Sequence, residues 1–283
     1  MSENRAYCVL GYPLKHTMSP PIHKRLFELR GRAFSYCVKE LPPEVLAQEM
    51  PALRAMSGFN VTIPHKVGII PLLDELDETA ARYGAVNCVC TKNGVSRGYN
   101  TDVDGFLRGL SAAGGTLTGS VLLLGSGGVG RMMAIEATRA GGSLTIAVRE
   151  QDLTECARVK ADIAALVPDA QVTVTTLSAA AGSFDTLINA TPLGMYPHLD
   201  GCAATDDVIA RAGFVFDAVY NPGRTALLKK ADALGIKNAG GMAMLVWQAV
   251  SAHEIWDGDS YADAEVEAII REMEEQVLKE FPV

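Results

Sequence analysis

An uninterrupted apolar segment, VLLLG at 121–125, leads into a glycine-rich turn and then into a segment with helical periodicity. Such a run is typical of a strand in a parallel sheet that helices cover on both faces. Strand-like and helix-like segments alternate beyond it, and further strands are predicted at 144–148, 172–177, 186–191 and 214–220. The alternation predicts an α/β fold with a doubly wound parallel sheet.

The glycine-rich turn, GSGGVG at 125–130, matches the G-x-G-x-x-G pattern between a strand and a helix. In this context Gly125 would permit the tight turn, Gly127 would let the backbone approach a pyrophosphate, and Gly130 would let the helix pack closely. The first amides of the helix and its dipole favour an anion there. We therefore predict a Rossmann-type dinucleotide-binding domain; glycines that merely form a turn are the alternative.

The end of the second strand of this domain bears on the choice of nicotinamide cofactor. An acidic residue there binds a ribose 2′-hydroxyl, whereas an arginine accommodates a 2′-phosphate. The sequence places Arg149 directly before Glu150, and Asp152 follows. Arg149 gives NADP a slight preference, and the carboxylates keep NAD open.

The first hundred residues show a less regular alternation. Strands are predicted at 6–11, 33–41 and 58–66, and a hairpin at 87–102 with Asn93-Gly94 at its turn. Helices are predicted from Ser19 to about Leu29, over 42–56 with an interruption at Pro51, over 69–85, and from 102. The last two helices, over 242–256 and 263–281, are expected to be amphipathic.

Four polar residues before the glycine turn are candidates for binding or chemistry. Thr17 and Ser19 lie just before a helix, where two hydroxyls and the helix N-terminus could seat a carboxylate. The equally weighted alternative is that Ser19 only caps the helix. Lys66 and Asp102 each follow a predicted strand. The alternative without function is that Lys66 is a solvated surface lysine and Asp102 is a helix cap. Their spacing in the sequence does not establish that the two side chains are in contact.

Composition narrows the class of protein. Hydrophobic residues make up 48% and charged residues 20%, which indicates a globular chain. The net charge of −8 argues against a nucleic-acid partner. No apolar run reaches the roughly 18 residues of a membrane span, and no signal peptide is evident, so we expect a cytoplasmic protein. The cysteines, including Cys88 and Cys90 on one strand face, are expected to be core residues, and no metal site is predicted.

An ordered set of segments between about residues 10 and 255 resembles the shikimate/quinate dehydrogenase family: GYPLKHTMSPPIH, NVTIPHK, GAVN, YNTDVDG, GSGGVGR, NATPLGM, DAVYNPGRT and MLVWQA. The resemblance implies an enzyme that interconverts 3-dehydroshikimate and shikimate with NADP, or quinate and 3-dehydroquinate, often with NAD. It also implies a role in aromatic amino acid biosynthesis through the chorismate pathway, and a monomer or homodimer.

The resemblance further implies an N-terminal α/β substrate domain, 1–103 completed by 242–283, and a Rossmann-type nucleotide-binding domain, 104–241, with a cleft between them. Lys66 and Asp102 would be the catalytic pair. The substrate carboxylate, the ring hydroxyls and the same cleft would involve Thr17, Ser19, Asn60, Thr62, Asn87, Gln248 and Tyr220. The cofactor would contact Gly125, Ser126, Gly127, Gly128, Val129, Gly130, Arg131, Arg149, Asn189, Ala190, Thr191 and Gly241.

The implied chemistry is consistent with these residue types. Reduction of a ketone needs a proton donor at the oxygen, typically worth 10²–10⁴-fold in rate, and a lysine ammonium can donate and also stabilise the developing charge. A nearby carboxylate favours the ammonium form. We therefore expect Asp102 to keep Lys66 protonated for reduction and to orient a substrate hydroxyl.

Two positions depart from the family pattern. Thr17 stands where a serine is usual, which adds a methyl group at the carboxylate seat. Val148-Arg149-Glu150 replaces the usual Asn-Arg-Thr/Ser, which removes part of the 2′-phosphate site. Both departures suggest a paralogue of the biosynthetic enzyme. A catalytically silent binding or regulatory protein on the same scaffold is a further alternative.

Overall fold

A computed structural model describes residues 5–14 and 17–281, and the chain divides into two compact units. The first unit comprises Met1–Gly105 and Val246–Met273. The second comprises Phe106–Leu245 and Glu274–Val283. The final residues therefore group with the second unit, whereas the sequence-based boundaries place the whole C-terminal segment with the first.

The chain as far as α5 builds the first sheet and the helices around it. Its strands are β1 (Arg5–Gly11), β2 (Phe34–Glu40), β3 (Gly58–Val61), β4 (Glu75–Leu76), β5 (Cys88–Lys92) and β6 (Val95–Tyr99). Its helices are α1 (Ser19–Leu29), α2 (Leu46–Arg54), α3 (His65–Gly68), α4 (Glu78–Tyr83) and α5 (Asp102–Ala112).

This sheet is mixed, with the strand order β2-β1-β3-β5-β6-β4. β1 is parallel to β2 and β3, whereas β5 is antiparallel to both β3 and β6. The β5–β6 hairpin turns at Asn93 and Gly94, whose φ values are +52° and +78°. Two positive φ values in a two-residue turn are what an Asn-Gly hairpin requires, so the predicted hairpin is confirmed.

Two predicted helices differ from the structure. Pro51 lies inside α2 without interrupting it, because it removes only one amide donor while the buried neighbours Met50 and Leu53 anchor the helix in the core. The segment 69–85 is not one helix: a 3₁₀ turn and the two-residue strand β4 precede α4. Asp77 starts α4 by accepting the Ala80 amide at 2.8 Å, which is a side-chain cap that begins a new helix.

The second unit contains a sheet of six parallel strands. Its strands are β7 (Ser120–Leu124), β8 (Ser143–Val148), β9 (Val172–Thr176), β10 (Phe184–Asn189), β11 (Ala212–Asp217) and β12 (Lys237–Ala239). The helices between them are α6 (Gly128–Arg139), α7 (Leu153–Leu166), α8 (Asp206–Ile209) and α9 (Ala226–Ala233).

The order β12-β11-β10-β7-β8-β9 is the 3-2-1-4-5-6 order of a doubly wound dinucleotide-binding sheet. Its strands are parallel throughout, which confirms the predicted fold class. Leu122, Leu124, Leu187 and Val215 belong to its buried core. β12 and α8 are too short for sequence periodicity to have predicted them.

Two helices complete the chain, α10 (Gly241–Asp257) and α11 (Asp263–Glu280). The expectation of an amphipathic α10 is wrong, since residues 246–253 are all buried. A helix that is buried on every side has no polar face exposed to solvent. Its polar residues Gln248, Ser251 and His253 are therefore internal. Across residues 5–14 and 17–281, no helix combines the length and apolarity needed to cross a membrane.

Candidate functional site

Lys66 and Asp102 form an ion pair in the first unit. Lys66 lies on α3, just after β3, and Asp102 is the first residue of α5. The Nζ and Oδ2 atoms are 2.6 Å apart, and the side chains are 26% and 18% exposed. The structure thus brings together two residues whose proximity the spacing could not establish. Partial burial strengthens their Coulomb attraction, yet leaves both groups accessible.

The backbone around Lys66 is fixed on both sides. After β3 the chain turns, and the His65 amide donates to the Thr62 carbonyl at 2.9 Å. The buried His65 ring contacts the Leu41 carbonyl through Nε2 at 2.7 Å. The Val86 amide donates to the Lys66 carbonyl at 2.8 Å. These bonds hold α3 beside the segment that carries Asn87.

Asn87 orients the carboxylate of Asp102. Its Oδ1 accepts the backbone amide of Thr101 at 2.7 Å, and a backbone amide can only donate. The Nδ2 atom therefore faces the other way, where it donates to Asp102 Oδ1 at 2.9 Å. Asn87 Nδ2 also lies 3.5 Å from Gln248 Oε1 on α10. Each oxygen of Asp102 thus has its own donor, Lys66 or Asn87, which fixes the plane of the carboxylate.

Ser19 does not cap α1 in the expected way. Met18 occupies the cap position, without a side-chain hydrogen bond, and Ser19 is the first helical residue. The interpretation of Ser19 as a cap is therefore wrong. Instead, the Ser19 amide donates to Thr17 Oγ1 at 3.3 Å. Burial, the largest cause, raises the pKa of Tyr36, and the nearby Ser19 side chain acts to lower it.

Tyr36 on β2 was not predicted as a functional residue. Its hydroxyl donates to Asn60 Oδ1 at 2.7 Å, so it links β2 with Asn60 on β3. Asn60 is almost fully buried. The register that pairs β1 with both β2 and β3 brings these residues together. No local pattern marks Tyr36, because an aromatic residue on a strand is ordinary core composition.

The remaining predicted substrate residues lie in separate places. Thr62 follows β3, and its amide donates to the Leu10 carbonyl at 2.8 Å. Gln248 lies on the buried part of α10, 3.5 Å from Thr101 Oγ1. Tyr220 follows β11 in the second unit, where burial raises its pKa. Of these, only Gln248 is hydrogen-bonded to the Asn87 and Asp102 group in the described ranges.

The glycine turn in the second unit shows the tight turn predicted for Gly125 and the close helix packing predicted for Gly130. Gly125 has a φ of +94°, which favours glycine. A Cβ on Gly130 would lie 2.5 Å from the Gly125 carbonyl oxygen, so only glycine allows this close contact between helix and turn. A Cβ on Gly127 or Gly128 would meet no protein atom within 4 Å. Their open faces, at the start of α6 with Ser126 and Val129 beside them, leave room for a phosphate group.

Both arginines predicted near the cofactor are paired with carboxylates. Arg131 Nε donates to Asp162 Oδ2 on α7 at 2.8 Å. Arg149 contacts both oxygens of Asp152, with Nε–Oδ2 and Nη2–Oδ1 distances of 2.6 and 3.2 Å. The opposing charges that the sequence showed after β8 are therefore in direct contact. Glu150 has no such contact with Arg149 in the described part of the chain.

Asn189 organises the loop after β10. Its Oδ1 accepts the Thr191 amide at 3.0 Å and the Thr191 hydroxyl at 2.7 Å, around Ala190. Its Nδ2 donates to Asp217 Oδ1 at 2.9 Å. Asp217 is fully buried at the end of β11, and its other oxygen accepts the Thr225 hydroxyl at 2.6 Å. Burial raises the pKa of Asp217, which sequence reasoning did not single out.

Gly241 is required by packing. A Cβ there would overlap the Ala218 carbonyl oxygen, and the Gly241 amide donates to the Val219 carbonyl at 3.1 Å. The first residue of α10 therefore sits directly against the loop that follows β11. Cys88 and Cys90 lie in a hydrophobic cluster with Trp256, as predicted for core cysteines.

One group of three potential metal ligands is present in the described residues: His253, Asp257 and Asp259. Asp257 is paired with Arg5 and Asp259 with Arg32. Each carboxylate thus already has a guanidinium counter-charge, which opposes a divalent cation. The group is better described as a cluster of ion pairs.

A parallel sheet in this order, with this glycine turn, defines a Rossmann-type dinucleotide-binding protein, and its other unit contains the Lys66–Asp102 ion pair. Residues 9–89 match the family model described as the shikimate dehydrogenase substrate binding domain. A shikimate dehydrogenase (NADP(+)) from Caldanaerobacter subterraneus subsp. tengcongensis is 34% identical over 272 residues, covering 92% of this chain and 94% of the relative. The chain belongs to the shikimate dehydrogenase family.

Solved structures agree with this membership. The Thermus thermophilus shikimate 5-dehydrogenase in complex with NADP(H) and shikimate superposes with a TM-score of 0.85 at 31% identity, covering 95% of this chain and 99% of that one. The Listeria monocytogenes shikimate 5-dehydrogenase in complex with shikimate and NAD gives a TM-score of 0.87 at 26% identity, with coverages of 96% and 97%.

Proposed function

We propose that this chain is an NAD(P)-dependent dehydrogenase that interconverts 3-dehydroshikimate and shikimate. The observation that carries the proposal is the ion pair of Lys66 and Asp102, with Nζ and Oδ2 2.6 Å apart, in a chain of this family. Reduction of a ring ketone develops negative charge on its oxygen, which a positioned proton donor neutralises. Lys66 is the proposed donor, and in the reverse direction it takes the proton from the ring hydroxyl.

Asp102 has two parts in this scheme. A lysine ammonium has three N–H donors, so its bond to Asp102 leaves donors for the substrate oxygen. The negative charge of Asp102 also holds the Lys66 ammonium in place, since Nζ and Oδ2 are 2.6 Å apart. Because Asn87 holds the second carboxylate oxygen, Asp102 keeps its orientation, and it is proposed to accept a hydrogen bond from a substrate hydroxyl beside the reacting carbon.

The other substrate contacts are proposed on the placement of polar groups. The Thr17 and Ser19 hydroxyls stand at the start of α1, where the helix dipole favours a carboxylate. The hydroxyls of the ring are assigned to Asn60, Thr62, Asn87 and Gln248, with Tyr220 as a further contact. The partner is thus a small polyhydroxylated acid.

The residues present fit a dinucleotide. Gly127 and Gly128 are open to an approaching pyrophosphate, and Gly130 holds the α6 N-terminus against the turn. Gly125, Ser126, Val129 and Arg131 would complete the pyrophosphate site, and Asn189, Ala190, Thr191 and Gly241 would face the nicotinamide side. The bound nicotinamide would supply or accept the hydride. The residues of the chain would hold it and exclude water from the reacting atoms.

NADP is the cofactor that we propose first, with NAD second. Arg149 stands where a 2′-phosphate would bind, and relatives of the chain are named as NADP(+) enzymes. The Asp152 carboxylate on Arg149 opposes this preference, since it already neutralises the guanidinium. We therefore expect a modest preference.

Quinate dehydrogenation is the second candidate activity. The observation that favours it is Thr17, which adds a methyl group at the proposed binding site of the substrate carboxylate. A methyl group there changes the shape of the pocket next to the ring carbon that bears the acid. The two substrates differ at that carbon, so Thr17 is where discrimination would arise.

Absorbance at 340 nm tests the proposal, with shikimate and quinate each supplied with NAD and NADP. We expect the fastest reduction of cofactor with shikimate and NADP. Turnover of quinate with NAD alone would replace the first candidate by the second. Absence of turnover in all four mixtures, with cofactor binding intact by fluorescence titration, would refute both and indicate a silent binding protein.

A further inference from the structure

Two fully buried histidines, His23 on α1 and His253 on α10, contact each other in the first unit, and the proposed function gives them no part. His23 Nδ1 and His253 Nε2 are 3.0 Å apart. Both rings have no exposed surface. A hydrogen bond between two ring nitrogens needs one donor and one acceptor, so the tautomers of the two rings are coupled.

Tyr261, on the other side of His253, determines which ring nitrogen of His253 carries the proton. Tyr261 Oη lies 3.0 Å from His253 Nδ1 and 3.2 Å from the Leu26 carbonyl oxygen. At the end of α1 the Arg30 amide donates to the Phe27 carbonyl and not to the Leu26 carbonyl. The Leu26 carbonyl therefore accepts the phenol proton. Tyr261 has only one proton to donate. His253 Nδ1 must therefore carry a proton and donate it to Tyr261.

Asp259 independently favours the same tautomer. Its Oδ2 atom is buried without a hydrogen bond in the described residues, and it lies 3.9 Å from His253 Nδ1. A negative charge at this distance favours a proton on Nδ1. With that nitrogen protonated in a neutral ring, His253 Nε2 is an acceptor. His23 Nδ1 then donates to it, and His23 Nε2 is left with a lone pair.

His23 lies next to Tyr36, which is hydrogen-bonded to the proposed substrate residue Asn60. The His23 ring stacks on Tyr36 with centroids 4.5 Å apart. Asn60 Nδ2 and His23 Nε2 are both buried atoms without a hydrogen bond in the described residues. The Tyr36 hydroxyl donates to Asn60 Oδ1 at 2.7 Å, so the stacked Tyr36 ring connects His23 with Asn60.

We propose that His23 and His253 are a positioning pair: both neutral and both protonated on Nδ1, they hold the stacked Tyr36 ring so that its hydroxyl orients Asn60 for the ring substrate. The substrate part of this inference rests on the proposed function, whereas the tautomers do not.

The charged and titratable groups around the pair leave it neutral. His23 faces Tyr36 and Trp256 besides His253, and none of these is a carboxylate. His253 faces the carboxylates of Asp259 and Asp257. Burial, the largest cause, lowers the His253 pKa, as do Arg32 and Arg30, and this outweighs Asp259, which raises it. Burial also lowers the pKa of His23. Desolvation thus keeps both rings uncharged near neutral pH.

Histidine-selective ¹⁵N NMR of the full chain tests the tautomers without reference to activity. At pH 7 we expect both His23 and His253 to show the neutral pattern with the proton on Nδ1. Assignment comes from His23→Asn and His253→Phe. In His253→Phe, His23 loses its acceptor and its spectrum should shift toward the Nε2-protonated form. An imidazolium or an Nε2 proton on either ring of the unmodified protein would overturn the inference.

Kinetics test the positioning role. We expect His253→Phe, which keeps a ring of similar size, to raise KM for shikimate about 5- to 30-fold, the scale of one lost hydrogen bond, while kcat changes less than about twofold. His253→Gln restores an acceptor and should recover most of that loss.

Val250→Ala is the matched control, since it loosens the same buried helix without touching the histidines. It should lower Tm and leave KM unchanged. If His253→Phe alters KM no more than Val250→Ala does at equal loss of Tm, the pair is merely structural and the inference fails. If the unmodified protein turns over neither ring acid, the proposed function fails, while the NMR result still decides the tautomers.

Discussion

The two candidate sites differ in which part of the chain forms them. In the second unit, a contiguous glycine run presents backbone amides and open Cα faces to a ligand. In the first unit, the ion pair of Lys66 and Asp102 is completed by Asn87 and by Gln248, which lies 161 residues from Asn87 along the chain. One site is thus encoded by local geometry, and the other by side chains that only the tertiary fold assembles.

This difference predicts how each site fails. Removing a side chain from the first site should abolish chemistry and preserve the fold, because other elements hold its backbone. Adding a single carbon to the second site should act on binding or on folding, depending on which glycine receives it.

Lys66→Ala should produce the largest effect. Loss of the proton donor is expected to lower kcat by about 10²- to 10⁴-fold, with cofactor affinity nearly unchanged, because the cofactor site is formed by another segment. Steady-state kinetics and cofactor titration measure the two quantities. Lys24→Ala, an exposed lysine of the same unit, is the control and should retain activity. Near-normal turnover of Lys66→Ala would remove Lys66 from the mechanism.

Two glycine substitutions should separate binding from folding in the second site. Gly127→Ala meets no protein atom within 4 Å, so Tm should be preserved while cofactor affinity falls at least about tenfold, if a pyrophosphate approaches there. Gly130→Ala places its Cβ 2.5 Å from the Gly125 carbonyl and should cost about 1–3 kcal/mol in unfolding free energy as well. Thermal unfolding and fluorescence titration of both variants measure these effects. Equal behaviour of the two variants would contradict the assigned division.

The same contrast explains which features could be predicted from the sequence and which could not. The glycine turn and the strands around it were predictable, because the pattern and the geometry that it serves are adjacent in the chain. Lys66 and Asp102 could be selected only through a family resemblance, since spacing does not show that two side chains meet. Tyr36 and Asp217 were not predicted, because their hydrogen bonds are made to residues far away in the sequence. Tyr36 bonds to Asn60, and Asp217 bonds to Asn189.

The helices show the same limit. An internal stretch of α10 with polar residues was interpreted as amphipathic, because periodicity reports polarity and not the partners that satisfy it. His253 and Gln248 are buried there with hydrogen-bond partners from other elements. In the segment before α4, Asp77 and Pro71 override helical spacing through a cap and a missing amide donor.

Acidification should weaken the first unit through its buried histidines. Burial lowers the pKa of His23 and His253 from the ordinary value of 6.5, so the unfolded chain binds protons that the folded chain refuses. Stability is therefore complete above about pH 6.5 and falls below it, by up to roughly 1.4 kcal/mol per pH unit for each histidine. Denaturant unfolding between pH 7 and pH 5 measures the slope.

His253→Phe provides the comparison for this slope, since it removes one of the two groups. The slope of this variant should be roughly halved. The Asp259 carboxylate, whose pKa is lowered to about 2 by His253 and Arg32 despite the opposing effect of burial, loses its contribution only as the pH falls below about 3.8. It therefore does not interfere in the same range. A pH-independent stability between pH 7 and pH 5 would contradict the neutral state of the pair.

The smallest expected effect concerns cofactor choice. Asp152 holds Arg149, whose side chain is 66% exposed, so this surface ion pair is worth only about 0.2–1 kcal/mol. Asp152→Asn should therefore raise the ratio of kcat/KM for NADP over NAD by about 1.5- to 5-fold, because the freed guanidinium can meet a 2′-phosphate. Asp162→Asn is the matched control. It removes the carboxylate that Arg131 Nε contacts. Since Arg131 is proposed to meet the pyrophosphate that both cofactors share, this variant should change both values and leave their ratio constant. A constant ratio in Asp152→Asn would mean that Arg149 does not read the phosphate.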